Sequence, residues 1–133
     1  MDIEDAVATP TSNVAVTVQA RTHRIVQDKP VASGGKDAGP MASELLLAGL
    51  LACQNSTFVK VAAKRKVEAT VRSIQGELGF ENGDISAIKV RFTIAASAVV
   101  TDSALDTILK LTDKTCTISR VLKVPVEASF TRA

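Results

Sequence analysis

Runs of alternating apolar and polar side chains predict five strands in this chain. They cover residues 14–19, 24–27, 67–78, 85–97 and 124–130. Asn82-Gly83 separates the third run from the fourth, and this dipeptide is the strongest short signal for a two-residue hairpin. Helical spacing of apolar residues predicts a helix that begins at Thr101 or Asp102, and a further short helix is expected over residues 116–122.

A long helix is predicted over residues 41–66, between the second and third strands. Its Leu- and Ala-rich composition, the proline that precedes it and the cations that end it all favour a helix. Its first half is apolar on every side and must therefore be enclosed by protein. A helix of about 24 residues is about 36 Å long, and a 133-residue monomer has difficulty enclosing it. We therefore expect a homodimer in which a partner subunit covers this helix.

The resulting order of elements is β-β-α-β-β-α-α-β. It predicts an α+β fold with antiparallel sheets and a long central helix, because hairpins rather than crossovers would join neighbouring strands. We expect the 133 residues to form a single domain, 1–133, because two halves would each be too small to bury a core. Within it, residues 1–12 are predicted to be a flexible N-terminal tail.

Composition narrows the function classes. A hydrophobic fraction of 46% excludes wholesale disorder, and the absence of Trp and Tyr beside only four Phe predicts an aliphatic core without a base-stacking surface. The cluster of Lys60, Lys64, Arg65 and Lys66 is interpreted as a solvated helix end. The longest apolar run, residues 45–53, is shorter than the roughly 20 residues of a membrane span, and the acidic N-terminus lacks a secretory signal. We expect a cytoplasmic protein with no nucleic-acid or membrane partner.

Sequence motifs for metal and nucleotide chemistry are missing. His23 is the only histidine and is interpreted as a loop residue, and no paired Cys-x-x-Cys or Gly-x-Ser-x-Gly motif occurs. The glycine-rich segment 33–40 lacks the P-loop spacing and its Lys-Ser/Thr ending, so it is interpreted as a loop that leads into the long helix. We expect no metal and no cofactor, which leaves thiol chemistry.

The chain has two cysteines, Cys53 and Cys116. Cys53 falls inside the apolar helix, where desolvation raises a thiol pKa unless a cation or a hydrogen-bond donor is supplied. Cys116 falls at a predicted helix start, where backbone N–H groups favour the thiolate. A reactive thiol in an apolar pocket and a second thiol able to attack it would form a two-cysteine peroxidase. The alternative is that both are small buried side chains without chemistry.

The motif Gly-Gly-Lys-Asp-Ala-Gly-Pro at residues 34–40, followed by Ser-Glu-Leu-Leu-Leu-Ala-Gly-Leu-Leu-Ala-Cys at residues 43–53, resembles the signature of the OsmC/Ohr superfamily. This superfamily comprises osmotically inducible and organic-hydroperoxide-resistance proteins. Its second cysteine stands in a Cys-Pro-Val-Ser-like context, which residues 116–120 match except for Thr117 in place of proline. The resemblance extends from about residue 14 to residue 130 and implies an OsmC-like fold in an intertwined homodimer.

The resemblance also implies a mechanism. Cys53 would attack a hydroperoxide and become a sulfenic acid, Cys116 would close a disulfide, and a dithiol such as dihydrolipoamide would reduce it. The family's arginine, which stabilises the thiolate, is assigned to Arg21, with Arg24 as the second choice. The family's glutamate, which orients that arginine, is assigned to Glu44.

The assignment of Glu44 carries a geometric difficulty. Glu44 lies nine residues before Cys53, one fewer than in the characterised hydroperoxidases, and one residue turns a helical side chain by about 100°. Nine residues of helix rise about 13.5 Å, so a partner subunit would have to present this carboxylate. Alternatively, Glu44 caps the helix start.

Two functions remain open. The first is a peroxidase that reduces organic hydroperoxides through Cys53 and Cys116. The second is an OsmC-fold protein without peroxidase activity that binds an apolar small molecule at the dimer interface. The shifted Glu44 and the missing proline motivate the second function.

Overall fold

The computed structural model describes residues 1–133, which group into two compact units, residues 1–46 and residues 47–133. The long helix α1 (Ala42–Lys64) begins in the first unit and continues in the second. The predicted single domain over the whole chain stays a prediction. Each unit is described by itself below.

The first unit contains a three-stranded antiparallel sheet. Its strands are β1 (Val7–Pro10), β2 (Val16–Ala20) and β3 (His23–Gln27), in the order β1-β2-β3. The prediction of a flexible tail over residues 1–12 is wrong for β1, which pairs with β2 from Val7↔Gln19 to Pro10↔Val16. All four side chains of β1 are exposed, so backbone hydrogen bonds rather than a periodic apolar face hold this edge strand, and no alternation marks it.

A loop from residue 28 to residue 41 leads from β3 into α1. Asp28, only 2% exposed, lies at its start, and its carboxylate accepts hydrogen bonds from the backbone N–H groups of Lys29, Lys36 and Ala38. Donors on both sides of the glycine-rich turn therefore converge on one side chain. This explains why a loop with three glycines and two prolines adopts a defined path into the helix.

The second unit contains a sheet of three strands, β4 (Ala69–Glu81), β5 (Asp84–Ala96) and β6 (Val126–Arg132). β4 and β5 form the predicted hairpin, and Asn82 and Gly83 have the positive φ angles, 51° and 83°, that a two-residue turn of this kind requires. The prediction of antiparallel pairing is wrong for β5 and β6, which are parallel. The chain passes between them through a crossover that contains α2 (Asp102–Thr115), a connection that parallel strands require.

α2 begins as predicted. The side chain of Thr101 accepts a hydrogen bond from the N–H of Ala104 at 3.1 Å, which caps the helix start. The helix expected over residues 116–122 is reduced to a single 3-10 turn, Ser119–Val121.

The core of the second unit lies between the sheet and the two helices. Its fully or nearly buried apolar residues are Leu50, Phe58, Ala62, Ile88, Val90, Phe92, Ile94, Leu105, Ile108, Leu109 and Cys116. Aliphatic side chains predominate, as expected. The prediction of a purely aliphatic core is nevertheless wrong, because Phe58 and Phe92 are both 0% exposed and stack with ring centroids 5.4 Å apart. One face of β5 and one face of α1 thus meet through these two rings.

The surface of α1 is partly exposed. Leu46 and Val59, at two different positions around the helix, are 39% and 55% exposed, so the chain alone does not enclose the helix. By length and composition α1 could also cross a membrane, a criterion that core helices of soluble proteins meet as well, and 22% of its apolar 18-residue window is buried. The expectation of a partner subunit that covers this helix stays a prediction.

Candidate functional site

The two cysteines meet in the second unit. The Sγ of Cys116, on the chain segment after α2, lies 2.8 Å from the Sγ of Cys53, on α1, although the residues are 63 positions apart in sequence. Both thiols are free. A disulfide bond is about 2.05 Å long, so a small movement of either side chain would bring the sulfurs to bonding distance. The sequence-predicted pair is therefore brought together.

Cys116 reaches this position as the residue that ends α2. Its N–H donates to the carbonyl of Thr112 at 2.8 Å, and its own carbonyl accepts from the N–H of Arg120 at 3.1 Å. The prediction that Cys116 begins a helix is wrong, because α2 continues to Thr115 and leaves Cys116 as its C-terminal cap. Burial and the hydrogen bond to Cys53 outweigh the backbone N–H groups of Ser119 and Ile118, so the pKa of Cys116 is raised rather than lowered.

The environment of Cys53 favours its thiolate. Burial acts to raise the pKa of this thiol, but hydrogen bonds outweigh burial, and the net pKa is lowered. The donors are, in decreasing order, the Cys116 thiol, the backbone N–H of Ile118, the Thr57 hydroxyl and the backbone N–H of Thr117. Thr57 lies one helical turn after Cys53, with its Oγ1 3.9 Å from the sulfur. None of these groups is a cation, and a role for an arginine beside Cys53 stays a prediction.

The environment of Cys116 has the opposite effect. Burial raises the pKa of the Cys116 thiol, the hydrogen bond that it donates to Cys53 raises it further, and the N–H and hydroxyl of Ser119 lower it only in part. Cys116 is 0% exposed, whereas Cys53 is only partly buried. One thiol is therefore accessible and inclined to ionise, and the other is enclosed and retains its proton.

Several polar residues around the pair were not predicted from the sequence. Gln54 is completely buried, and its Nε2 donates to the Oγ of Ser119 at 2.7 Å and to Oδ1 of Asp113 at 3.4 Å. Gln54 and Thr57 follow Cys53 by one and four positions, and they bound a run of four polar residues in a helix whose first half is apolar. That polar run was the signal that could have identified them.

Arg21 and Arg24 belong to the first unit. Arg21 lies in the turn between β2 and β3, with a φ of 53°, and both arginines are exposed. They line an open cavity of about 490 Å³ together with Asp5 and with residues of β1 and β2. Their assignment as partners of the thiolate stays a prediction.

Glu44 is exposed in the first turn of α1. Its Oε1 accepts a hydrogen bond from the N–H of Met41 at 2.8 Å, which satisfies a free donor at the helix start. The capping role that we weighed for Glu44 is thus present in the structure. A role for its carboxylate at the thiol pair stays a prediction.

No group of three or more His, Cys, Asp or Glu side chains is arranged to hold a metal ion. The site is defined by two adjacent thiols, backbone and side-chain donors around one of them, and an apolar core behind the other.

The fold and the site together define a class of protein. It is an α+β chain in which two free thiols meet, one on the long helix and the other directly after the helix of the crossover. The sequence profile of the family described as OsmC-like protein matches residues 34–130, and the chain belongs to that family. A comparison with curated protein sequences gave no match.

Solved structures support the same fold. An OsmC-like protein from Mycoplasma pneumoniae superposes with a TM-score of 0.78 at 15% identity, over 99% of this chain and 98% of that one. An OsmC-like protein of unknown function from Vibrio cholerae gives 0.78 at 17% identity, over 98% and 100%. An organic hydroperoxide resistance protein from Elizabethkingia anophelis gives 0.72 at 20% identity, over 100% and 96%. At these identities the similarity establishes the α+β fold of the family.

Proposed function

We propose that the protein is a thiol-dependent peroxidase that reduces organic hydroperoxides, with Cys53 as the reactive thiol and Cys116 as the resolving thiol. The observation that carries the proposal is the separation of 2.8 Å between the two Sγ atoms. Membership of the OsmC-like family and the fold shared with an organic hydroperoxide resistance protein support it.

The assignment of roles rests on the contrast between the two thiols. A thiolate is the nucleophilic form of cysteine. The lowered pKa of Cys53 and the raised pKa of Cys116 mean that Cys53 ionises first, with the remaining proton on Cys116. Cys53 is also the more accessible of the two, so a peroxide would meet the ionised sulfur first.

The chemistry proceeds in three balanced steps. The Cys53 thiolate attacks the terminal oxygen of ROOH, the S–O bond forms as the O–O bond breaks, and the alkoxide leaves as ROH after taking a proton. Cys116 then attacks the sulfenic sulfur, the S–S bond forms, and the sulfenic oxygen leaves as water with the Cys116 proton. An external dithiol returns two electrons and two protons to the disulfide.

The remaining participants are proposals of the same kind. The reductant is a dithiol such as dihydrolipoamide, no cofactor takes part, and the protein acts in the cytoplasm as a homodimer. The exposed apolar side chains of Leu46 and Val59 on α1 support a partner subunit that covers part of this helix. Arg21 would stabilise the Cys53 thiolate, and Glu44 of the partner subunit would orient the Arg21 side chain.

The test is steady-state reduction of tert-butyl and cumene hydroperoxides with dihydrolipoamide as electron donor. We expect turnover by the native protein and only background reduction by Cys53→Ser. Turnover that survives Cys53→Ser, or no turnover by either protein with dihydrolipoamide or dithiothreitol, would overturn the proposal.

A second candidate function is favoured by one observation. Glu44 is engaged as a helix cap through Met41, which fits a protein that has lost the family's catalytic carboxylate. Such a protein would bind an apolar small molecule at the dimer interface without reducing peroxide. Absence of peroxide turnover together with saturable binding of a fluorescent apolar probe, lost when the dimer is dissociated, would favour this function.

A further inference from the structure

Gln54 presents a buried polar group that the mechanism above does not use. Its side chain is 0% exposed, its Nε2 reaches both Ser119 and Asp113, and its Oε1 has no hydrogen-bond partner. A buried carbonyl oxygen without a donor is unfavourable. An apolar side chain would avoid that cost, so the amide is expected to contribute something through its donor end.

Asp113 fixes which end of the amide faces Ser119. A carboxylate only accepts hydrogen bonds, and only the nitrogen end of an amide donates them. The opposite orientation would direct Oε1 of Gln54 at the Asp113 carboxylate, with its two negative oxygens. The 3.4 Å contact from Nε2 to Oδ1 of Asp113 therefore keeps the donor end of Gln54 toward Ser119.

The fixed amide in turn sets the direction of the Ser119 hydroxyl. Because its Oγ accepts from Gln54 at 2.7 Å, its single hydrogen is free to be donated elsewhere. That hydroxyl is among the groups that lower the pKa of Cys116. Cys116 then donates to Cys53 across 2.8 Å. The donors of Gln54 and Cys116 thus point the same way, with the Ser119 hydroxyl between them.

We propose that Gln54 and Ser119, with Asp113 behind them, are positioning residues that form a one-directional hydrogen-bond relay to the thiol pair. Before oxidation the relay holds Cys116 as a donor to the Cys53 thiolate. During disulfide closure the Ser119 hydroxyl stabilises the negative charge that develops on Cys116 as its proton leaves with the sulfenic oxygen. This second role rests on the proposed peroxidase function, whereas the first does not.

The first experiment needs no peroxide. The pH dependence of Cys53 alkylation by iodoacetamide is measured in reduced protein, with the modified peptide identified by mass spectrometry. In Ser119→Ala we expect the midpoint to move to higher pH and the rate below that midpoint to fall about fivefold, the effect of losing one hydrogen bond. Ser119→Thr retains a hydroxyl and is expected to restore the native profile.

Variants of Gln54 test the direction of the relay. Gln54→Met keeps the volume without the donor, and we expect a shift like that of Ser119→Ala. Where its carboxyl is ionised, Gln54→Glu can only accept from Ser119, which draws the hydroxyl hydrogen away from Cys116, so the shift at those pH values should be larger. Gln75→Glu makes the same change at an exposed position on β4 and is the matched control, with a native profile expected. Circular dichroism melts identify any variant that is unfolded, and the Ser119 variants decide the question if those of Gln54 are.

A second experiment separates this inference from the proposed function. After one equivalent of cumene hydroperoxide, we expect Ser119→Ala to close the disulfide about fivefold more slowly, with sulfenic acid captured by dimedone. If the native protein forms no disulfide, the peroxidase function fails while the alkylation profiles still judge the relay. Alkylation profiles that are native in both Ser119→Ala and Gln54→Met, or equally shifted in Ser119→Ala and Ser119→Thr, would overturn the relay.

Discussion

Two regions of this molecule stabilise an anion with backbone amides, and they do so to different ends. In the loop before α1, the Asp28 carboxylate accepts from three backbone N–H groups at 2.7, 3.1 and 3.1 Å. Beside α1, the Cys53 thiol receives the amides of Thr117 and Ile118 together with the Cys116 thiol and the Thr57 hydroxyl. Both groups have a lowered pKa.

The difference lies in the donors. Those of Asp28 are fixed backbone groups, so its charge is permanent at neutral pH and holds a loop in place. The strongest donor to Cys53 is another thiol, which can itself form a bond to the sulfur that it stabilises. Stabilisation by hydrogen-bond donors thus yields an inert anion at Asp28, where no donor can react. It yields a reactive anion at Cys53, where one donor can.

Removing the Cys116 thiol should have the largest effect on activity. Well-oriented intramolecular groups reach effective concentrations of about 10⁵ M or more. Such values are far above the concentration of any added thiol. We therefore expect Cys116→Ser to lower steady-state hydroperoxide turnover by about a hundredfold or more while Cys53 still consumes one equivalent of peroxide. Turnover and burst size are both measured by peroxide consumption. Undiminished turnover would show that Cys116 does not resolve the sulfenic acid.

A methyl group added beside Asp28 should lower the stability of the fold instead. In Gly35→Ala the new methyl group would overlap the backbone carbonyl of Lys29 and lie 2.7 Å from Oδ1 of Asp28. We expect the free energy of unfolding to fall by about 1–3 kcal/mol, the usual cost of overpacking. Urea denaturation measures it.

Gly49→Ala on α1 is the control, since nothing lies within 4 Å of its added methyl group. It should gain up to about 1 kcal/mol from helix propensity. Equal stability of the two alanine variants would contradict the close packing of the Asp28 loop.

Low pH should protonate the Asp28 carboxylate and remove the stabilisation that its charge provides. The N–H of Lys29 is the largest cause of the lowered Asp28 pKa, followed by the N–H of Ala38; burial opposes them, and the N–H and charge of Lys36 add to them. Because the folded pKa lies below the unfolded one, the stabilisation is complete above the ordinary aspartate pKa and is lost as pH falls through the folded value. NMR shifts of those three amides should titrate with a midpoint below that of an ordinary aspartate. An ordinary midpoint would show that these donors do not stabilise the charge.

The weakest expected change concerns Thr57, whose hydroxyl makes a long contact with the Cys53 sulfur. Thr57→Val should raise the Cys53 pKa, so that alkylation slows about two- to threefold below the midpoint and is unchanged above it. Ser56→Ala is the matched control, because its hydroxyl bonds to the carbonyl of Cys53 rather than to the sulfur. The contribution of Thr57 is refuted if the two variants titrate alike.

Local sequence signals predicted the parts of the fold that depend on local structure. The Leu/Ala composition of α1, the Asn82-Gly83 hairpin and the Thr101 cap all act within a few residues, and each was found. β1 escaped prediction because its exposed side chains carry no periodic pattern. The parallel pairing of β6 depends on where the crossover places the strand, which alternation within that strand does not report.

The candidate site was predicted in its two sulfurs and missed in their surroundings. The resemblance carried by the glycine-rich motif and the two cysteines led to the pair. Most donors to Cys53 come from a chain segment more than 60 residues away, and Gln54 meets Ser119 across 65 positions. Such contacts arise from tertiary structure, so the sequence did not indicate the two backbone amides that donate to Cys53 beside the Cys116 thiol.

The most direct test is the intact mass of the protein after brief exposure to one equivalent of cumene hydroperoxide, followed by quenching with an alkylating reagent. If Cys53 and Cys116 form a redox pair, the protein loses two hydrogens, gains no alkyl group, and yields one peptide in which the two cysteines are joined. Two alkylated thiols, seen as a mass increase of two alkyl groups with no disulfide-linked peptide, would contradict that pairing.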